Sequence, residues 1–146
     1  MKISALGHVV VKVTDCARAE AFYGGLLGLP IIARYDQDGF RMTFFSLGNH
    51  HDFAVMQVSG EGGRPHETSP GLAHVAFKIG DSLAELREAK DRFDAAGVEV
   101  RPFDHEVTKS LYFNDPDGNE VEVYVEASDI WKREPQRVAQ IAPLEL

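Results

Sequence analysis

The chain has 146 residues, a length that fits one domain with a substantial core. Its formal net charge of −8 weighs against general affinity for nucleic acid or an anionic membrane and points to a small molecule or another protein as partner. The single cysteine, Cys16, excludes an internal disulfide and a thiolate metal cluster, and no apolar run reaches membrane-spanning length, while "MKISALGHVVVKVTD" alternates with charges too early for a signal peptide, so a soluble, cytoplasmic protein is expected.

The first element is a strand in "GHVVVKVTD" (7–15), ending at Asp15, whose carboxylate can accept from the free amides of a helix start. The helix predicted over "CARAEAFYGGLLGLP" is weakened by Gly24 and Gly25, each of which costs up to about 1 kcal/mol relative to Ala. Strand-like runs follow in "LPIIARY", "FRMTFFSL" and "HDFAVMQV", and then "SGEGGRPHETSPG" (59–71) breaks periodicity as a connector. A second copy begins at "AHVAFKIGD" (73–81). Ser82 and Glu85 offer a capping box, Leu83, Leu86, Ala89 and Phe93 recur at helical spacing, and Gly97 suits the helix end. "VEVRPF", "SLYFND" and "EVEVYV" complete the pattern.

The order strand, helix, strand, strand, strand thus occurs twice. His8, Val9, Lys12 and Asp15 of the first copy align at one constant offset with His74, Val75, Lys78 and Asp81. A repeated supersecondary unit implies two modules, each with an apolar face that it cannot bury alone. We expect one domain over 1–146, with module 1 at about 4–58, the linker at 59–71, module 2 at about 72–126 and a tail at 127–146 outside the repeat.

The segment "SLYFNDPDGNEVEVYVE" (110–126) predicts a hairpin in detail. Pro116 and Asp117 suit the centre of a type I turn and Gly118 the left-handed bulge residue. This register sets Asp115 opposite Asn119 and Tyr112 opposite Glu122. Alternation then puts Ser110, Tyr112, Asn114, Glu120, Glu122 and Tyr124 on one face and Leu111, Phe113, Val121, Val123 and Val125 on the other. The same parity separates His8, Val10 and Lys12 from Val9, Val11 and Val13, and His74, Ala76 and Lys78 from Val75, Phe77 and Ile79. A histidine on a half-buried strand is often a hydrogen-bonded structural residue, and a glutamate after a turn is often solvated. If the repeats pair about a pseudo-twofold axis, however, His8, His74 and Glu122 converge as two imidazoles and a carboxylate.

At "LGHVVVKVTD", "AFYGGLLGLP", "GLAHVAFKIGD" and "LYFNDPDGNEVEVYV" the sequence resembles the vicinal oxygen chelate superfamily, which includes glyoxalase I, bleomycin-resistance proteins and extradiol catechol dioxygenases. The resemblance covers roughly residues 5–126 and is closest to single-domain, extradiol dioxygenase-like members. It implies an α+β fold in which two βαβββ modules form a curved, cup-like mixed sheet with helices outside. It also implies that His8, His74 and Glu122 hold one divalent metal, Fe(II) or alternatively Mn(II), with adjacent coordination positions open.

On the same resemblance, His51 of "NHHDFAV" matches the acid/base histidine, with His50 the near alternative. Tyr112 would hydrogen-bond the substrate, and His105 would orient Tyr112 or the substrate oxygen. The implied reaction is cleavage of a catechol-like aromatic diol by O2, giving a ring-opened semialdehyde, in a protein that forms a homodimer or higher homo-oligomer. A glyoxalase-type lyase implies a fourth ligand from the last strand of module 1, where "HDFAVMQV" offers only Asp52 near its start. A fosfomycin-resistance-type thiol transferase shares the two histidines, glutamate and tyrosine, and a metal-free protein sequestering an aromatic antibiotic is the remaining class.

Overall fold

The computed structural model describes residues 1–66 and 68–146; Glu67, within the predicted connector, lies outside the described residues. The chain divides into two compact units, Met1–Gly71 and Leu72–Leu146.

The first unit comprises β1 (Val9–Val13), α1 (Cys16–Glu20), a π-helical segment (Ala21–Leu26), β2 (Ile31–Gln37), β3 (Phe40–Phe45) and β4 (Phe53–Gln57). Its sheet order is β1-β4-β3-β2, with β1 parallel to β4 and the other neighbours antiparallel. Asp15 caps α1 as expected, its Oδ1 accepting from the amides of Ala17 at 2.8 Å and Arg18 at 3.1 Å. The Gly24–Gly25 pair does not end the helix. Instead the ladder widens to i→i+5 spacing, with Leu27 N–H donating to the Phe22 carbonyl at 3.0 Å. A Cβ on Gly24 would stand 3.2 Å from Ile31 Cδ1, so the missing side chain lets β2 pack tightly against this turn. Val11 and Val13 are buried while Val10 and Lys12 are exposed, as the parity requires. The core gathers these valines with Phe22, Tyr23, Phe45 and Phe53, and the Tyr23 and Phe53 rings lie 4.7 Å apart. Glu20 ties the helix to the sheet: both its oxygens accept from Arg34 at 2.8 Å, and Oε1 also accepts from Thr43 Oγ1 at 2.6 Å.

The second unit repeats the order with β5 (Val75–Gly80), α2 (Leu83–Ala95), β6 (Arg101–Asp104), β7 (Thr108–Asn114) and β8 (Glu120–Glu126). The tail adds two short 3-10 turns, Ile130–Lys132 and Pro135–Ala139, and a two-residue strand β9 (Ala142–Pro143). The sheet order is β5-β8-β7-β6-β9, with β5 parallel to β8. The capping box forms in full, and Gly97 ends α2 at φ 69°. Leu86 and Phe93 are buried, with Phe93 packed 4.4 Å from Phe113, whereas Leu83 at the helix start stays exposed. Leu111, Phe113, Val121, Val123 and Val125 are all buried on the predicted face. Ile79 departs from its parity: a bulge between Lys78 and Gly80 skips it in the pairing with β8, and it is exposed. Both units are βαβββ modules built on a mixed sheet, which makes the fold α+β.

Candidate functional site

The β7–β8 hairpin forms in the predicted register. Gly118 takes φ 81°, its amide donates to the Asp115 carbonyl at 2.8 Å, and the Asp115 amide donates to the Asn119 carbonyl at 2.9 Å. The buried Asp115 carboxylate braces the loop by accepting from the amides of Asp117 and Asn119 and from Asn119 Nδ2. Tyr112 therefore faces Glu122 directly. Of the remaining acidic row, Glu120 pairs with Arg101 at 2.6 Å.

Glu122 is 7 % exposed on a sheet face that is otherwise polar, so its oxygens need partners from protein. Ser110 Oγ donates to Oε1 at 2.5 Å, and His74 Nε2 stands 3.2 Å from Oε2. One carboxylate oxygen is thus fixed by Ser110, and the other is aimed at an imidazole nitrogen. Two ligands on neighbouring corners of one metal, each at about 2.0–2.2 Å, are separated by about 3 Å. The spacing and chemistry of His74 and Glu122 fit a divalent cation.

Beside this pair, the Tyr112 hydroxyl lies 3.2 Å from His105 Nε2, and His105 Nδ1 lies 3.0 Å from the Gln140 carbonyl oxygen. A carbonyl only accepts, so Nδ1 carries a proton. In the neutral ring Nε2 is then the acceptor, and Tyr112 donates its hydroxyl proton to it. Burial, followed by the neighbouring Glu122 carboxylate, pushes the Tyr112 phenol well above its ordinary range. The tail that supplies Gln140 is fastened on either side: Arg137 pairs with Glu106 at 2.9 Å, and β9 pairs with β6 through Asp104↔Ala142.

The first unit gathers His8, His50 and His51, whose ligand atoms all lie within 4.8 Å of one another. The His8 and His51 rings are 4.1 Å apart, and Phe44 packs edge-on against His51 at 5.3 Å. Burial, with His8 and His50 alongside, holds the His51 pKa below the ordinary imidazole value. Asp52 is engaged in its own loop, Oδ2 accepting from the Leu47 amide at 2.7 Å.

The sequence-predicted residues therefore fall into two groups, His8 with His51 in the first unit and His74, Glu122, Tyr112 and His105 in the second. Ser110 had been placed on the polar face by alternation, but nothing in the sequence distinguished its contact with Glu122. The Gln140 carbonyl carries no side-chain signal at all.

The chain is 34% identical over 128 residues to "Biphenyl-2,3-diol 1,2-dioxygenase 3" of Rhodococcus globerulus, spanning 83% of this chain but only 63% of that relative. It is 24% identical over 119 residues to "Probable lactoylglutathione lyase" of Synechocystis sp., spanning 80% of this chain and 91% of the relative. The solved structure of fosfomycin resistance protein FosX from Mesorhizobium loti superposes with a TM-score of 0.65 at 23% identity, over 92% of this chain and 99% of that one. The fold is thus shared across proteins with different named activities. With residues 5–123 matching the sequence profile of the Glyoxalase/Bleomycin resistance protein/Dioxygenase superfamily, and both units built as that resemblance implied, the chain belongs to this superfamily.

Proposed function

We propose that the protein is a metal-dependent, extradiol-type dioxygenase that cleaves a catechol-like aromatic diol with O2, within one domain over 1–146. His8, His74 and Glu122 hold the metal, Fe(II) or alternatively Mn(II). His51 is the acid/base residue, Tyr112 hydrogen-bonds the substrate, and His105 orients Tyr112 or the substrate oxygen. The observation that carries this reading is the set in the second unit: His74 and buried Glu122 at 3.2 Å, with the Tyr112–His105 pair beside them. The similarity to a biphenyl-diol dioxygenase supports it. The bound metal supplies Lewis acidity toward the diol and an electron path to O2.

The protein's own groups supply the rest. Ser110 holds Glu122 Oε1, so the carboxylate reaches outward through Oε2 alone. To hold a metal, His74 and Glu122 would give up any proton shared between Nε2 and Oε2. Tyr112, its own proton committed to His105, presents oxygen lone pairs and accepts a hydrogen bond from the substrate hydroxyl. His51, whose pKa its surroundings hold below the ordinary imidazole value, takes a substrate proton, a role that typically contributes about 10²–10⁴ in rate.

The test is anaerobic iron loading followed by oxygen uptake against a panel of catechols, with the ring-opened semialdehyde followed by absorbance. His8→Ala, His74→Ala and Glu122→Ala should each lose iron, whereas His51→Ala should keep iron and lose turnover. A protein that retains no divalent metal refutes the ligand assignment. A metal-loaded protein that consumes no oxygen with any catechol, but opens fosfomycin with a thiol, belongs to the transferase class instead.

A further inference from the structure

Among the described residues, three imidazoles occur together in the first unit with no carboxylate in the set, and this set differs from the two-histidine, one-carboxylate set proposed above. We propose that His8, His50 and His51 form a second metal site, selective for zinc-like cations.

The geometry needs only side-chain adjustment. Imidazole nitrogens around one tetrahedral Zn(II) lie about 3.3 Å apart, for metal–nitrogen distances of about 2.0–2.1 Å. The three ligand atoms here already lie within 4.8 Å of one another. His8 and His50 are exposed, whereas half-buried His51 is the fixed member, packed against Phe44.

His50 is also set up as a ligand. Asn49 Oδ1 accepts from the His50 amide at 2.9 Å, which identifies that atom as the oxygen, and it lies 3.1 Å from His50 Nδ1. Nδ1 must then carry the proton, leaving the Nε2 lone pair for a metal. This outer hydrogen bond is the kind that accompanies metal-bound histidines. The loop bearing the pair is braced by Ser46 Oγ on the Asn49 carbonyl at 2.6 Å and by Asp52 on the Leu47 amide.

Selectivity follows from donor type. Three neutral imidazoles favour Cu(II), Zn(II) and Ni(II) over Fe(II) in the usual affinity order, with no carboxylate to offset it. A fourth position remains for water.

The experiment uses full-length protein stripped of metal and titrated with Co(II), whose visible spectrum reports tetrahedral nitrogen coordination, and then with Zn(II) in competition. His50→Ala should weaken Zn(II) binding at least tenfold, Asn49→Ala should weaken it by about tenfold, and His74→Ala and Glu122→Ala should leave it within twofold. Circular dichroism of each variant verifies folding, and His50→Gln supplies a second removal of the imidazole should the alanine variant misfold. Wild-type Zn(II) affinity in both His50 variants overturns the proposal. So does loss of Zn(II) in His74→Ala or Glu122→Ala, because the ion would then occupy the proposed catalytic ligands. The site survives failure of the dioxygenase reading, since Zn(II) binding that depends on His50 requires no oxygen chemistry.

Discussion

Replacing Ser110 with Ala removes one atom and isolates the role of the hydroxyl. Ser110 is fully buried and Glu122 is 7 % exposed, so water cannot readily replace the 2.5 Å hydrogen bond to Oε1. A hydrogen bond to a charged acceptor is worth about 1.5–3 kcal/mol, and an unsatisfied buried acceptor costs a similar amount. The expected destabilisation of the metal-free protein is about 1.5–3 kcal/mol. At about 2–4 °C per kcal/mol for a chain near this length, the melting temperature should fall by about 3–12 °C. Urea titration at neutral pH reads the change as a lower midpoint with unaltered slope.

The specific prediction is coupling. In a Glu122→Gln background the Ser110→Ala change should lose most of its effect, giving an interaction energy of about 1 kcal/mol or more. Metal affinity should fall by about 10–100-fold in Ser110→Ala, because the carboxylate is no longer held in place. A destabilisation below about 0.5 kcal/mol, or an equal loss in both backgrounds, refutes the role assigned to this hydroxyl.

Two further outcomes test the scaffold. The Arg34 hydrogen bond holds the Glu20 pKa below its ordinary 4.5. A carboxylate with a lowered folded pKa contributes stability above the unfolded value, and that contribution is lost as pH falls through the folded one. Glu20→Gln should therefore destabilise by about 1 kcal/mol at pH 7, a figure reduced because Arg34 is largely exposed, and the difference from wild type should shrink below pH 4.5. A difference that persists unchanged at pH 3 would contradict the ionic origin. Phe93→Ala removes a ring that is 4 % exposed and packed on Phe113, so a loss of about 3–5 kcal/mol is expected by denaturant titration.

The repeat and the hairpin were legible because each rests on short-range rules. Alternation placed Tyr112 opposite Glu122 once the Asp115–Asn119 turn fixed the register, and the Ser82–Glu85 box marked the start of α2. The sequence rules misplaced Ile79, because a bulge is set by how two strands accommodate twist and leaves no composition signal there. They also treated Gly24 and Gly25 as a weakness, whereas the structure uses the bare Cα of Gly24 for the approach of Ile31. The six candidate residues could be named from spacing and resemblance. Their hydrogen-bond partners could not, because Ser110 looks like any strand serine and Gln140 contributes only backbone.

That backbone contribution gives the end of the chain an unexpected importance. The tail donates no side chain to the candidate site, yet its Gln140 carbonyl decides which nitrogen of His105 bears hydrogen and hence which way the Tyr112 hydroxyl points. Drift among residues 137–143, or a fusion attached beyond them, therefore acts as a remote adjustment of one proton's direction while every inward-facing residue stays the same. In comparing relatives, the terminal segment should be read alongside the proposed ligands, and a purification handle on this protein belongs away from its last strand.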